Sequence, residues 1–217
     1  MIENWNRKEA RGRKKLTERL SEGKSALIVV DVQNDFCHAD GAFGNRVSDF
    51  SFIERAMPGL CGLIDGCRAS GVPVVFVRTL HSDWTDSAVW CGRMSDFAKR
   101  TPACTPDTWG SAFYRVAPGP SDYVVTKHRY SAFVGTDLDL VLKSSGARTV
   151  MVAGFMTNVC VETTARDACM HDYHVVLVED CCGAPLPGEH ESAVHNIACC
   201  FGLVADANTV LGIIKKG

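Results

Sequence analysis

The stretch TVMVAGFMTNVCVETTARDA, Thr149 to Ala168, decides the fold of this chain. An apolar run with strand character reaches Gly154, and a helical pattern restarts at Cys160 after a short turn. Near-continuous apolar runs alternate with helical patterns along the rest of the sequence, which is typical of a parallel sheet covered on both faces. The same turn places a thiol at the start of a helix, in a chain that holds ten other cysteines.

Six apolar runs read as strands, and helical patterns separate most of them. The runs are Ala26–Val32, Val72–Thr79, Asp122–Lys127, Thr149–Ala153, His174–Asp180 and Gly202–Asp206. A less regular segment, Leu80 to Pro120, follows the second run, and loops of that length are usually functional. The pattern predicts an α/β fold with a single domain over residues 25–217, preceded by a basic N-terminal arm or helix over residues 1–24.

The composition narrows the class of protein. The chain of 217 residues is 46% hydrophobic with a formal charge of -2, so nucleic acid is not an expected partner. No apolar run is long enough to span a membrane, and the charged start lacks the apolar segment of a signal peptide. Eleven cysteines without a Cys-x-x-Cys pair indicate reduced thiols in a cytoplasmic enzyme, rather than a disulfide scaffold or a zinc ribbon.

Three reactive side chains follow predicted strands. Asp31 ends the first strand, Lys127 ends the third, and Cys160 opens the helix after the fourth. Because ligands of open parallel sheets bind at the carboxyl ends of the strands, these side chains are expected to meet. The helix start and the cation should lower the pKa of the thiol, Asp31 can move its proton, and turn amides can hold an oxyanion. Each residue alone also has a plain structural reading, so the inference depends on their combination.

Three motifs around these residues resemble those of the isochorismatase-like cysteine hydrolases. They are LIVVDVQNDFC around Asp31, VVTKHRYSAFVGTDLDLVL around Lys127 and VAGFMTNVCVETTARDA around Cys160. The resemblance implies a three-layer α/β/α, Rossmann-like fold with a six-stranded, mainly parallel sheet, assembled as a homodimer or homotetramer. It makes Asp31, Lys127 and Cys160 the catalytic triad of an enzyme that acts on a small molecule.

The resemblance also describes the substrate pocket. It implies a cis peptide bond between Phe155 and Met156, with the amides of Met156 and Cys160 forming the oxyanion hole. It suggests that Phe36 lines the site. From their residue types and positions, five further side chains are expected to contact substrate: Gln33, Trp84, Phe133, Phe155 and Thr157. Turn hydrogen bonds and ordinary aromatic packing are the alternatives for these residues. A substrate carboxylate could be met by three further side chains: Arg78, His128 and Arg129.

The reaction class follows from two differences within the family. Isochorismatase itself lacks the nucleophilic cysteine, so the presence of Cys160 favours hydrolysis of an amide C–N bond through a thioester. Nicotinamidases carry an Asp-x-His metal motif after the second strand, whereas here Asp83-Trp84 is followed by Thr85, and His81 has the wrong spacing. No metal and no other cofactor is therefore expected. The expected substrate is a small ureido or carbamoyl compound of the biuret, ureidoacrylate or N-carbamoylsarcosine kind.

Three alternatives stay open on the sequence alone. A nicotinamidase-like or other carboxamide hydrolase would use the same three residues on a different substrate. A noncatalytic binding protein on the same fold would carry an inert Cys160 thiol. A redox protein would need a resolving cysteine, and none lies close to Cys160 along the chain.

Overall fold

A six-stranded sheet forms the centre of the protein in the computed structural model, which describes residues 2–21, 24–93 and 102–215. The strands are β1 Ser25–Val30, β2 Val74–Thr79, β3 Tyr123–Lys127, β4 Thr149–Phe155, β5 His174–Gly183 and β6 Leu203–Ala205. All neighbouring strands run parallel, in the spatial order β3-β2-β1-β4-β5-β6. The α/β fold class and the six predicted strands are confirmed, and the sheet is wholly parallel.

Helices connect the strands and cover both faces of the sheet. Within the described residues they are α1 Ile2–Ser21, α2 Asn34–Cys37, α3 Ser51–Ala69, α4 Ala88–Gly92, α5 Leu138–Ser144, α6 Glu162–Met170, α7 Pro187–Asn196 and α8 Ala207–Ile214. A π-helical turn over Thr157–Val161 precedes α6, and a second one over Ile197–Phe201 extends α7. Helices α1 and α3 each pack against α8, while α6 and α7 meet through the two π-helical turns.

Burial explains the composition of the strands. Every residue of β1 and of β4 is buried, because both strands lie inside the sheet with helices on either side. Such strands carry continuous apolar runs rather than an alternating pattern. The edge strand β3 differs, since Tyr123 is exposed whereas Val125 and Lys127 are buried. Lys127 is thus a charged side chain at a position where packing alone would favour an apolar one.

The basic N-terminal segment forms helix α1, and the last turns of this helix pack on the hydrophobic core. Leu16 and Leu20 of α1 are buried in the hydrophobic core. Thr149 Oγ1, in β4, donates a hydrogen bond of 3.0 Å to the carbonyl of Arg19. This segment was predicted to be either an arm or a helix, and a helix is observed. The domain boundary at residue 25 stays a prediction.

All eleven cysteines are free thiols in the structure. Burial is the main cause that raises the pKa of seven of them: Cys37, Cys61, Cys67, Cys104, Cys160, Cys181 and Cys182. Burial disfavours the thiolate because the charge would lose its hydration. The folded state therefore retains these protons at pH values where the unfolded chain loses them.

The free energy of unfolding is consequently expected to fall in alkaline solution. The unfolded thiols ionise around their ordinary pKa of about 8.5, whereas the folded ones stay neutral, so the unfolded state binds fewer protons above that pH. Each largely buried thiol should lower the free energy of unfolding by about 1.4 kcal/mol per pH unit, from about pH 8.5 until the folded thiol itself ionises, and the partly exposed Cys61 by less. Urea denaturation in the presence of a reductant, repeated from about pH 7 to pH 10, measures this slope.

Two variants of α3 separate proton linkage from packing. Cys67→Ala removes one buried thiol, so the free energy of unfolding should fall less steeply with pH, by about 1.4 kcal/mol per pH unit. Ile64→Val, on the same buried face, should lower the free energy of unfolding by about 1 kcal/mol without changing the slope. A free energy of unfolding that does not depend on pH in this range would contradict the expectation.

Gly154 in β4 allows a close approach of two strands. Its φ is 121°, and a Cβ atom there would lie 2.1 Å from the carbonyl oxygen of Val30 in β1. Gly154→Ala should lower the free energy of unfolding by about 3 kcal/mol, because neither backbone can withdraw without disrupting the sheet. Gly212→Ala is the control, since no atom lies within 4 Å of the added carbon in α8; there the free energy should rise by about 0.5–1 kcal/mol. Equal effects in thermal or urea denaturation would refute this account of Gly154.

Candidate active site

The carboxyl ends of β1, β3 and β4 bring the three predicted catalytic side chains together. Lys127 lies between the other two: its Nζ is 2.8 Å from Asp31 Oδ2 and 3.4 Å from Cys160 Sγ. The side chains of Asp31 and Lys127 are each only 1% exposed. Because removing two charges from water costs more than their attraction usually returns, a buried pair of this kind indicates function rather than added stability.

Thr79, the last residue of β2, connects the two charged groups. Its hydroxyl accepts a hydrogen bond of 2.7 Å from Lys127 Nζ and donates one of 2.9 Å to Asp31 Oδ1. Asp31 Oδ2 is ion-paired with Lys127 Nζ at 2.8 Å, and the carboxylate also lies within hydrogen-bonding reach of the Cys160 thiol. The carboxylate is therefore held with one oxygen ready to take the thiol proton. Thr79 was not predicted as a site residue. It ends β2 in the same way that Lys127 ends β3, so the rule that identified Lys127 also applies to Thr79.

Gln33 holds Thr79 in place and does not bind substrate. Its Nε2 donates to the carbonyls of Thr79 and Ser111 at 3.0 and 2.9 Å, and its Oε1 accepts from the Thr79 N–H at 2.7 Å. The residue is fully buried. The prediction that Gln33 contacts substrate is wrong, because both amide hydrogens and the carbonyl oxygen are already used by the backbone.

The backbone is unusual on both sides of the triad. Asp31 has a φ of 52°, a left-handed conformation that costs roughly 1 kcal/mol for a residue with a side chain. Strained residues of this kind cluster at functional sites. The peptide bond between Phe155 and Met156 is cis, as predicted. Cys160 follows in the π-helical turn, so the amides of Met156 and Cys160 belong to the same short segment.

Opposing effects act on the pKa of the Cys160 thiol. Burial raises it to about 12; Lys127 opposes this rise and Asp31 adds to it. Burial also opposes the charge of Lys127, but Asp31 and Cys160 raise the pKa of its ammonium to about 12. Lys127 thus lowers the thiol pKa as predicted, but the net pKa is raised because the loss of hydration is the larger effect. The Asp31 carboxylate is the acceptor placed beside the thiol proton.

The triad borders a cavity of about 650 Å³, a volume typical of small-molecule sites. Phe36 and Phe155 line it, as predicted. The irregular segment after β2 supplies much of the remaining wall, including His81, Asp86, Trp90, Arg93, Pro102 and Pro106. The long segment that the sequence marked as functional therefore forms one side of the site.

Besides Gln33, three residues predicted to contact substrate do not border this cavity. Trp84 is 97% exposed to solvent. Phe133 is buried, and its ring stacks on His171 with the ring centroids 4.7 Å apart. Thr157 is fully buried, and its hydroxyl is hydrogen-bonded to His190 Nδ1 at 2.9 Å. These predictions are corrected: Trp84 lies at the surface, Phe133 packs in the core, and Thr157 anchors the turn that carries Cys160.

Of the cations considered for a substrate carboxylate, Arg129 alone borders the cavity. Arg78 and His128 bond instead to a neighbouring strand and to a loop carbonyl. The Arg129 guanidinium lies over the ring of Trp90, 4.6 Å from its centroid. Trp90 rather than Trp84 is thus the tryptophan at the site, a distinction that the sequence could not make because both lie in the same irregular segment.

Metal ligands do not converge in the described parts of the chain. Over residues 2–21, 24–93 and 102–215, no three His, Cys, Asp or Glu side chains are placed to hold a metal ion. His81 Nδ1 is instead hydrogen-bonded to Asp86 Oδ1 at 2.9 Å. A separate finding for these same residues is that none of their helices combines the length and apolar character needed to cross a membrane.

Comparison with known proteins assigns the family. Residues 25–209 match the isochorismatase domain model. The chain is 30% identical over 214 residues to the ureidoacrylate amidohydrolase of Agrobacterium fabrum, an alignment that covers 91% of this chain and 92% of that protein. A cysteine hydrolase from Pseudomonas syringae pv. phaseolicola is similar in structure, with a TM-score of 0.81, 27% identity and coverage of 91% and 95%. For N-carbamoylsarcosine amidase from Thermoplasma acidophilum the values are 0.65, 30%, 85% and 97%. The protein therefore belongs to the isochorismatase family.

Proposed function

We propose that this protein is a cysteine-dependent amidohydrolase that cleaves a C–N bond of a small ureido or carbamoyl compound through a thioester. The observation that carries the proposal is the Lys127 ammonium, held between Asp31 and Cys160 at the wall of a ligand-sized cavity. The substrate class is supported by two relatives whose names state amide hydrolysis, the ureidoacrylate amidohydrolase and the N-carbamoylsarcosine amidase.

The first half of the reaction makes the thioester. Asp31 takes the proton of the Cys160 thiol, and the sulfur attacks the carbonyl carbon. Lys127 stabilises the negative charge as it forms on sulfur, and the amides of Met156 and Cys160 donate to the oxyanion. The C–N bond breaks as Asp31 returns the proton to the leaving nitrogen, which departs as ammonia or an amine.

The second half of the reaction restores the thiol. Water attacks the thioester carbonyl while Asp31 takes one of its protons. The C–S bond then breaks, the proton passes to the sulfur of Cys160, and the acid product leaves. One proton moves through Asp31 in each half, so atoms and charges balance with water as the other reactant.

Two expectations about the whole protein accompany this proposal. Assembly as a homodimer or homotetramer stays a prediction, which light scattering on the purified protein would test. The cytoplasmic location likewise stays a prediction from the cysteine content.

A substrate panel with a nucleophile variant tests the proposal. Biuret, triuret, ureidoacrylate, N-carbamoylsarcosine, N-carbamoylglycine and nicotinamide are each incubated with the protein, and ammonia release is measured. We expect release from at least one ureido compound and a decrease of about 10⁴-fold or more in Cys160→Ala, because the covalent route is then lost. Mass spectrometry of rapidly quenched protein should show the acyl group on Cys160.

The exposed thiol Cys200 supplies the matched control for this experiment. Cys200→Ala should retain full activity, because this residue lies outside the cavity. Full activity of Cys160→Ala would refute the mechanism. Turnover of nicotinamide without turnover of any ureido compound would refute the substrate class and leave the nucleophile in place.

Thr79 offers a test of how Asp31 is oriented. Thr79→Val keeps the shape of the side chain but removes the hydroxyl that bonds Lys127 and Asp31. The kcat should fall by about 10- to 100-fold, the value of one hydrogen bond to a charged group, with a much smaller change in KM. Thr79→Ser keeps the hydroxyl and should stay within about threefold of the parent kcat. Similar kcat values for the two variants would show that the hydroxyl does not position the base.

A further inference from the structure

His81 borders the cavity without a part in the mechanism above. It follows the end of β2 by two residues, and both Thr79 and His81 line the cavity that holds the triad. Its backbone is fixed, since the His81 N–H donates to the carbonyl of Cys104 at 3.1 Å and the preceding Leu80 N–H donates to that of Lys127 at 3.1 Å. His81 is therefore held in the wall of the cavity by its backbone.

The orientation of the ring is also fixed. His81 Nδ1 lies 2.9 Å from Asp86 Oδ1, and the ring stacks near the indole of Trp90, with an interplanar angle of 26°. The side chains of His81 and Asp86 are 23% and 16% exposed. Because a carboxylate only accepts hydrogen bonds, the hydrogen of the neutral imidazole is on Nδ1, and Nε2 carries the lone pair. Among the described residues, no group hydrogen-bonds to this Nε2.

A lone-pair nitrogen in a cavity wall calls for a donor or a metal ion as its partner. The described residues provide no set of three ligands for a metal. A substrate N–H is then the partner that fits the chemistry. The imidazole and its orienting carboxylate form the same pairing that fixes the tautomer of histidines in catalytic and binding sites.

The internal N–H of the ureido group suits this role. During the proposed reaction, the carbonyl oxygen faces the amides of Met156 and Cys160. When ammonia is the leaving group, the terminal nitrogen, with its two N–H bonds, must face Asp31. The internal nitrogen, which joins the carbonyl to the rest of the molecule, is then directed toward the remaining cavity wall, and its single N–H is the donor that this wall can meet.

We propose that His81 Nε2 accepts a hydrogen bond from the internal N–H of the ureido substrate, and that His81 is thereby a specificity-determining residue. The enzyme selects ureido compounds that keep this hydrogen over compounds alkylated on the same nitrogen. The inference depends on the proposed ureido hydrolysis. It deepens that proposal, because it separates ureido compounds that carry an internal N–H from those that do not.

N-carbamoylglycine and N-carbamoylsarcosine form the test pair, since they differ only by a methyl group on the internal nitrogen. For the parent protein we expect kcat/KM to be about tenfold higher for N-carbamoylglycine, the value of one hydrogen bond. His81→Phe, which keeps a ring but no nitrogen, should bring the ratio close to one. His81→Gln, whose carbonyl oxygen can accept, should restore part of the preference. If either compound is bound but not hydrolysed, its inhibition constant against a hydrolysed ureido compound provides the same ratio.

The outcomes separate this inference from the function on which it depends. A ratio that stays the same in parent and His81→Phe, or equal losses for both compounds, would overturn the role of His81 while ammonia release from ureido compounds still supports the proposed function. Failure of every ureido compound in the panel above would overturn both. Far-ultraviolet circular dichroism of His81→Phe and His81→Gln verifies that the folds compared are the same.

Discussion

The buried ammonium of Lys127 is the charge on which the arrangement of the site depends. An isolated ammonium in the interior would cost several kcal/mol of lost hydration, so the chain must surround it with acceptors. Asp31 neutralises the charge, the Thr79 hydroxyl and the Arg129 carbonyl accept hydrogen bonds, and the sulfur of Cys160 completes the surroundings. The groups proposed as nucleophile, base and orienting hydroxyl are therefore the ones that the buried charge requires as neighbours.

The order of the strands makes this arrangement possible. Lys127 ends β3, two strands away from β1, so its side chain must reach past β2 to meet Asp31. Neighbouring strands are about 4.8 Å apart, so the two spacings are covered jointly by the long lysine side chain, the 2.8 Å ion pair and the side chain of Asp31. Thr79 ends the strand in between and bridges the gap, and Gln33 holds that strand end through two hydrogen bonds to the backbone of Thr79. A shorter cation at position 127 would not reach the base.

Desolvation outweighs the cation in setting the pKa of the Cys160 thiol. A cation and a helix N-terminus both favour a thiolate, whereas burial disfavours it. Burial is the larger effect here, so the thiol pKa is raised although Lys127 lowers it. The proposed chemistry therefore needs a base beside the sulfur, and the Asp31 carboxylate, to which Thr79 donates a hydrogen bond, is the group placed for that role.

The sequence by itself determined the strands, their parallel direction and the three residues of the proposed triad. These features depend on local patterns, because a buried strand needs a continuous apolar run and each reactive side chain comes directly after one. Tertiary structure alone decided which polar and aromatic groups border the cavity. Gln33 and Trp84 are residue types suited to binding, but the first is used by backbone groups and the second points to solvent. Thr79 and His81 lie at the site because strands far apart in the sequence end side by side, a proximity that no local pattern records.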